Sequence, residues 1–258
     1  MSVSKPEPMK IFLSHVNEEA ELAAIVQRHI YAAFDKRNVT IYSFSDSESV
    51  LLGEEWLKLK PELVSSKVVI VLCSSVSIER PWINIEAGYA WLADRPTLLL
   101  CHTDLKVSDL PMPYKGLLSG SASDPKTLQR MYATISTQRG SAMPAENFDS
   151  FAQEVRVFER EYGEVGRVRE VVKKLIGLSP EFRELFQTGI GAGLIRLTEY
   201  SHPDILRDLD TMQLEGVFEV STPRGPHFPT GGGGPIISRQ FTVTDKYRAM
   251  VADIMKNI

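Results

Sequence analysis

Residues 68–90 read VVIVLC-SSVSIER-PWINIEAGYA, an apolar run followed by a polar segment and a helical pattern. Its first part, Val68 to Cys73, is a continuous apolar run, typical of a strand buried on both faces of a parallel sheet. Pro81 marks the start of a helix, because proline is favoured at the first helical position. Within that helix Trp82 and Glu86 are four positions apart and share one face. An aromatic ring and a carboxylate in this arrangement can hold a sugar and stabilise a developing positive charge.

Further strands are predicted on both sides of this stretch. They are Lys10 to Ser14, Val39 to Phe44, Thr97 to His102 and, as the weakest pattern, Met131 to Ile135. Helical patterns separate most of them, so we predict an α/β fold built on a five-stranded parallel sheet. Ligands of such sheets bind beyond the carboxyl ends of the strands. We therefore expect three segments to meet at one edge: Ser14 with His15, Ser43 to Ser49, and Ser74 to Glu86.

Length favours two domains, and charge argues against a nucleic-acid or membrane partner. The 258 residues exceed the common domain size of about 100 to 150. A net charge of -4 provides no basic field for nucleic acid or an anionic membrane. Residues 1–10 are polar, unlike a signal peptide, and no apolar run approaches the roughly 18 residues of a membrane span. We expect a cytoplasmic protein.

The sequence predicts neither a metal nor a cofactor. Cys73 and Cys101 are the only cysteines, and each lies in an apolar strand-like run. This favours reduced core thiols over a disulfide framework or a zinc site. Asp46 and Glu48 share one loop, where solvated charges are a better interpretation than a metal pair.

A second region follows a boundary at residues 138–147, which are rich in polar residues, glycine and proline. The predicted elements are a helix from Phe148 to Ile176 with a break near Gly163 and Gly166, a helix at His202–Leu214, strands at Gly216–Ser221 and Ile236–Val243 flanking Gly231 to Gly234, and a closing helix from Thr244. This order resembles a winged helix.

Winged helices often bind duplex DNA, but this region is slightly acidic. From Leu178 to Ile258 there are eight Lys and Arg against ten Asp and Glu, whereas a DNA reader would be basic. We therefore favour protein contact or oligomerisation for this region. A local patch of Arg224, Arg239 and Lys246 keeps a DNA-binding regulator open as an alternative.

Three segments taken together carry a family resemblance. They are Ile11 to His15, the loop Ser45 to Gly53 leading to Trp56, and the run from Ser74 and Ser75 through Trp82 to Glu86. With these segments, residues 9–137 resemble the bacterial Toll/interleukin-1 receptor (TIR) domain family. Asp109 to Pro113 also looks like the loop before the last strand in many bacterial members.

The resemblance implies a flavodoxin-like TIR domain at 9–137. The linker at 138–147 and a smaller α+β winged-helix-like domain at 148–258 follow it. It also implies an enzyme that cleaves NAD+ between nicotinamide and ribose, with NAD+ as substrate and no cofactor. Carried over by position, the catalytic residue is Glu86, and the substrate-binding residues are Ser14, His15, Ser45, Asp46, Trp56 and Trp82. Pro61 departs from the family pattern, because a helix kinked or begun there would displace Trp56.

One carboxylate can suffice for this reaction. Departure of nicotinamide leaves an oxocarbenium-like sugar, and nicotinamide itself leaves as a neutral molecule that needs no proton. Glu86 would bind the ribose hydroxyls and stabilise the positive charge, while Trp82 and the loop exclude water. Water as acceptor gives ADP-ribose, and attack from within the substrate gives a cyclic ADP-ribose. The sequence does not choose between these products.

The resemblance further implies anti-phage defence and signalling by a homo-oligomer assembled through its TIR domains. The C-terminal region would then bind a protein partner or control assembly. The main alternative is a non-enzymatic adaptor that recruits partners through the loop Asp46 to Gly53. If the family resemblance is set aside, the residues have simpler interpretations. Glu86 would be an exposed helix carboxylate and Trp82 would be a packing residue. His15 would form a hydrogen bond with a backbone group.

Overall fold

A computed structural model describes residues 7–46, 54–112, 114–178, 182–183, 186, 192–198, 216–221 and 236–256. The chain divides into two compact units, Met1–Tyr162 and Gly163–Ile258. The first unit contains the run from Val68 to Glu86. The second contains a small antiparallel sheet.

The first unit is built on a five-stranded, all-parallel sheet with the order β2-β1-β3-β4-β5. Its strands are β1 Met9–Val16, β2 Val39–Asp46, β3 Val68–Cys73, β4 Thr97–Cys101 and β5 Leu118–Ser121. Its helices are α1 Ala20–Phe34, α2 Glu54–Ser65, α3 Pro81–Leu92 and α4 Pro125–Arg139, followed by α5 Phe148–Leu178, which continues into the second unit. The predicted α/β fold is confirmed, and this strand order is that of flavodoxin-like sheets.

Helices cover both faces of the sheet. On one face α1, α4 and the first half of α5 pack against side chains such as Leu13 and Ile70. On the other face α2 and α3 pack against side chains such as Phe12 and Val71. Because side chains alternate along a strand, Leu13 packs beneath α1 while its neighbour Phe12 packs on the opposite face, beneath α2 and α3.

The fifth strand is Leu118–Ser121, so the prediction of a strand at Met131–Ile135 was wrong. That segment lies in α4, where its apolar residues recur at helical spacing. The buried set is Leu128, Met131, Tyr132 and Ile135. The Asp124 carboxylate caps the start of the helix by accepting from the N–H of Lys126 and Thr127, at 3.2 and 3.3 Å. Five residues of this pattern were too few to separate strand from helix.

The boundary between the units differs from the predicted linker at 138–147. The side chains of Phe151, Ala152, Val155 and Phe158 in α5 belong to the core of the first unit. The division therefore falls inside α5, after Tyr162. The helix runs through Gly163 and Gly166 without a break. A polar linker precedes α5, but the apolar stripe of the helix needs the core of the first unit for its burial.

In the second unit, three described strands form an antiparallel sheet in the order β6-β8-β7. They are β6 Ala192–Thr198, β7 Phe218–Ser221 and β8 Ile236–Val243, and α6 Asp245–Lys256 follows. The predicted strand Ile236–Val243 and a closing helix are confirmed, whereas β6 was not predicted. His202–Leu214 and Gly231 to Gly234 lie outside the described residues, so the winged helix stays a prediction.

Candidate functional site

The candidate site lies where the order of the strands reverses. From β1 the chain moves outward to β2 and then returns to β3 on the other side of β1. The space between the carboxyl ends of two such strands is where open α/β sheets bind ligands. A hydrogen bond of 2.7 Å from the Ser74 hydroxyl to the Glu19 carboxylate joins the segments that follow β3 and β1. These two segments therefore meet at one edge, as expected.

Ser14 points to the side of the sheet that α3 covers. It lies on the same side of β1 as Phe12 and Val16, which are two residues before and after it and pack in the core beneath α2 and α3. Its side chain is fully buried, and no described residue forms a hydrogen bond with its hydroxyl. A buried hydroxyl of this kind has hydrogen-bonding capacity to offer a ligand, at a cost in folding free energy.

Glu86 lies on the buried side of α3. It is one helical turn from Ile83 and Ala90 and adjacent to Ala87, and all three pack in the core between the helix and the sheet. No part of Glu86 is exposed. The interpretation of Glu86 as an exposed helix carboxylate is therefore wrong. Because α3 contacts β1, β3 and β4, Glu86 and Ser14 occupy the same layer.

Three of the other predicted site residues are placed through their backbone. Trp82 is the second residue of α3, one turn before Glu86. Ser45 and Asp46 end β2, where Ser45 is the register partner of His15. Their backbones therefore reach the same edge of the sheet, while their side chains lie outside the described part of the structure.

Trp56 lies in the first turn of α2. The helix runs from residue 54 to residue 65 and includes Pro61. It therefore does not begin at Pro61, and the displacement of Trp56 considered from the sequence does not arise from a late helix start. The side chain of Trp56 and the loop residues 47–53 lie outside the described residues.

His15 is buried on the side of the sheet away from α3. It follows Leu13 by two residues, and Leu13 packs in the core beneath α1. Its Nδ1 lies 2.8 Å from the carbonyl oxygen of Val16, and its Nε2 lies 3.0 Å from Ser43 Oγ. Burial lowers the pKa of His15, against smaller raising effects of the Val16 carbonyl and the Glu19 charge. The structure thus does not bring His15 together with Ser14 and Glu86, and its contact with a backbone group matches the alternative interpretation.

The fold is expected to lose stability through His15 as the pH falls below the ordinary imidazole pKa of 6.5. In the unfolded chain His15 binds a proton below this pH, whereas the lowered pKa keeps folded His15 neutral. Below this pH the unfolded state binds more protons than the folded state, so the free energy of unfolding decreases as the pH decreases. We expect a smaller loss in His15→Gln, measured as the difference between thermal midpoints at about pH 7.5 and about pH 5.5. Equal losses in both proteins would contradict this assignment.

Glu19 is the residue of this region that sequence analysis missed. Its side chain is fully buried and accepts three hydrogen bonds, from the backbone N–H of Val16 at 3.1 Å, the hydroxyl of Ser74 at 2.7 Å and Nε2 of His102 at 3.0 Å. The one local signal is its position three residues after Val16, the spacing at which an acidic side chain reaches back to a helix start. Nothing local indicates that the carboxylate is buried.

The start of α3 is held by the connection between β4 and β5. The hydroxyl of Tyr114 donates to Asn84 Oδ1, and Asn84 Nδ2 donates to the carbonyl oxygens of Ile78 and Arg80, at 3.2 and 3.0 Å. Burial, with a smaller effect of Cys73, raises the pKa of Tyr114 to about 12. Tyr114 therefore remains a donor at neutral pH and fixes the turn of α3 that precedes Glu86.

The two cysteines are register partners at the carboxyl ends of β3 and β4. Both are free and buried, so the prediction that they lie in the core is confirmed. Burial raises the pKa of Cys101 to about 11. It also raises the pKa of Cys73, with further effects of Cys101 and Glu19. Because the thiolate is the reactive form, neither thiol is activated as a nucleophile.

Two kinds of site are not found in the described part of the chain. No group of three or more His, Cys, Asp and Glu there is arranged to hold a metal ion. No helix there combines the length and apolar character needed to cross a membrane.

Comparison with known proteins assigns no family. No protein-family model matches the sequence, and a search of curated proteins finds no match.

Proposed function

We propose that this chain is a TIR-type enzyme that cleaves NAD+ between nicotinamide and ribose, as an NAD+ glycohydrolase or an ADP-ribosyl cyclase. The strongest support is the burial of Glu86 between α3 and the sheet, in the same layer as Ser14. Parallel α/β sheets bind ligands beyond the carboxyl ends of their strands, and this layer packs against three of those strands, β1, β3 and β4. The strand order also agrees with the flavodoxin-like fold that the resemblance implies.

Burial suits the role proposed for Glu86. A charged carboxylate in an apolar layer is costly to the fold, and it interacts strongly with a positive charge because little water screens it. As nicotinamide departs, the ribose carbon and ring oxygen acquire positive charge, which a preoriented carboxylate stabilises. Glu86 also accepts hydrogen bonds from the ribose hydroxyls in this proposal, and no proton transfer to nicotinamide is needed.

Substrate contact requires that the layer around Glu86 open. Its carboxylate has no exposed surface in the structure, so ribose cannot reach it without a displacement of neighbouring side chains or segments. Closure over bound ribose would then exclude water during bond cleavage. The same enclosure would decide between water and an internal nucleophile, and thus between ADP-ribose and a cyclic product.

The proposed biological setting is bacterial anti-phage defence in the cytoplasm. In this proposal the TIR domains assemble into a homo-oligomer, and the C-terminal region binds a protein regulator or controls assembly. Both statements extend the family resemblance of residues 9–137. Depletion of NAD+ or release of a cyclic nucleotide would be the defensive output.

The direct test is NAD+ turnover by the purified protein at high concentration, with and without a crowding agent. Chromatography of the products should show nicotinamide together with ADP-ribose or a cyclic ADP-ribose. Absence of nicotinamide under every assembling condition would refute the enzymatic proposal.

Ser14→Ala is expected to weaken NAD+ binding without destabilising the fold. Removal of a buried hydroxyl that lacks a described partner should leave the free energy of unfolding unchanged or raise it by about 1 kcal/mol. Loss of its hydrogen bond to the substrate should raise KM by about tenfold. Steady-state kinetics and chemical denaturation measure the two effects.

Ser66→Ala is the matched control for this variant. Its hydroxyl is equally buried but donates to the carbonyl oxygen of Glu62 at 2.7 Å. The control should lower the free energy of unfolding by about 1 kcal/mol and leave KM unchanged. A Ser14 variant that loses stability while keeping KM would show that its hydroxyl serves the fold instead.

A non-enzymatic adaptor is the second candidate, supported by apolar side chains on the outer side of α3. Ile85, Trp91 and Leu92 are 47%, 50% and 78% exposed. A contiguous apolar patch of such side chains would mark an interaction surface. An adaptor would keep its biological effect in Glu86→Gln and lose it in Leu92→Asp, whereas the enzyme would lose it in Glu86→Gln.

A further inference from the structure

The carboxylate of Glu19 connects three strands of the sheet at the candidate site. It accepts from the N–H of Val16 at the end of β1, from the hydroxyl of Ser74 after β3, and from the imidazole of His102 after β4. Like Glu86, it has no exposed surface. Hydrogen-bond donors offset the cost of burying a carboxylate, and these three donors do so for Glu19.

Ser74 transmits this connection to the helix that carries Glu86. The N–H of Ser74 donates to Ser77 Oγ at 2.7 Å, and the N–H of Ser77 donates back to Ser74 Oγ at 3.2 Å. The N–H of Ile78 donates to the Ser74 carbonyl oxygen at 3.1 Å. These bonds shape a tight turn over residues 74–78, and α3 begins three residues later. Ser74 is thus bonded to the turn that leads into α3.

The first unit also reaches this turn from α5. The hydroxyls of Tyr162 and Ser74 are 3.4 Å apart, and the rings of Tyr162 and His102 meet edge to face at 5.3 Å. Tyr162 is the last residue of the first unit. Glu19, Ser74, His102 and Tyr162 thus form a connected group of polar side chains.

We propose that Glu19 is a positioning residue for the Glu86 site. It fixes Ser74, the 74–78 turn fixes the start of α3, and α3 sets where Glu86 lies relative to the substrate ribose. The inference rests on the proposed NAD+ cleavage for its kinetic consequence, but its structural part does not. Catalysis by a preoriented carboxylate is sensitive to displacement, since an error of about 1 Å costs on the order of 100-fold in rate.

The test compares Glu19→Ala with Glu19→Gln in the full chain. Alanine removes all three acceptor contacts, so kcat should fall by about 100-fold while KM changes by less than about threefold. Glutamine keeps one acceptor oxygen, which can serve Ser74 and His102 together, and loses the bond from Val16. It should restore kcat to within about threefold of the wild type.

Thr127→Ala is the matched control for loss of a buried polar contact. Thr127 is buried at the start of α4, and its hydroxyl donates to Asp124 Oδ2 at 3.0 Å. This contact lies on the face of the sheet away from α3. The control should lower the thermal midpoint and leave kcat unchanged at temperatures well below that midpoint.

Amide hydrogen exchange gives a measurement that does not depend on turnover. In Glu19→Ala, exchange of residues 74–92 should accelerate, while exchange of α4 stays at the wild-type rate. An unchanged rate in residues 74–92, or an equal acceleration throughout the first unit, would overturn the positioning role. A wild-type protein that releases no nicotinamide would refute the proposed function, and the exchange pattern would still decide the role of Glu19.

Discussion

Glu86→Gln is expected to reduce nicotinamide release from NAD+ by about two to three powers of ten, the usual cost of losing one preoriented electrostatic contact to the transition state. Glutamine has nearly the same shape and can still accept a hydrogen bond, so the change isolates the negative charge. Because that charge acts on the oxocarbenium-like transition state more than on neutral ribose, the loss should appear in kcat. Quantitative chromatography of nicotinamide at saturating NAD+ is the measurement.

Glu79→Gln is the control for this experiment. Glu79 is exposed and lies in the short helical turn Ser77–Glu79 that precedes α3. The same chemical change at this position should leave kcat unchanged. Both variants should keep the wild-type circular dichroism spectrum. Undiminished turnover in Glu86→Gln would refute the catalytic role of Glu86, even if the protein cleaves NAD+ by another residue.

A chain that ends at residue 147 is expected not to fold, whereas a chain that ends at residue 162 should fold cooperatively. The longer chain keeps the buried stripe of Phe151, Ala152, Val155 and Phe158, which belongs to the core of the first unit. Burial of each valine or phenylalanine side chain contributes roughly 1.5–3 kcal/mol. Their combined loss is comparable with the total stability of a domain, about 5–15 kcal/mol.

Contacts with α1 strengthen this expectation. The His29 ring stacks on Phe151 with ring centroids 4.0 Å apart, and its nitrogens lie 3.2 Å from Glu154 and 3.4 Å from Glu146. The shorter chain would remove Phe151 and Glu154 from His29 and would expose the part of the core that the first half of α5 covers.

Thermal unfolding followed by circular dichroism distinguishes the two chains. A cooperative transition in the chain of 147 residues would show that the stripe of α5 is dispensable to the first unit. Failure of both chains would show that the first unit depends on residues beyond Tyr162.

Local patterns in the sequence predict most of the sheet. The strand Val68–Cys73 was predicted to the residue, because a continuous apolar run between polar segments is typical of a strand buried on both faces. The fifth strand was misplaced because Leu118–Ser121 reads Leu-Ser-Gly-Ser and holds one apolar side chain. Its pairing with β4 makes it a strand, and pairing between distant segments leaves no local pattern to read.

The sequence predicts the position of Glu86 in the helix after β3, but it does not predict that the side chain is buried. The spacing after β3 places Glu86 in a helix, one turn after Trp82. However, α3 carries apolar residues on both sides: Ile83, Ala87 and Ala90 are buried, while Ile85, Trp91 and Leu92 are exposed. The periodicity of such a helix does not show which side faces the sheet. The side that carries Glu86 could be identified only from packing.

Sequence alone determined the α/β class, the order of strand and helix around residues 68–90, and the placement of Glu86 in the helix after β3. These features follow from interactions between residues within a few positions of each other, which composition and spacing record. Tertiary structure alone decided that Glu86 is enclosed, that His15 and Ser14 face opposite sides of the sheet, and that Glu19 bonds Ser74 and His102. Those bonds join residues 55 and 83 positions apart, and the chain brings such residues together only when the strands pair and the helices close over them.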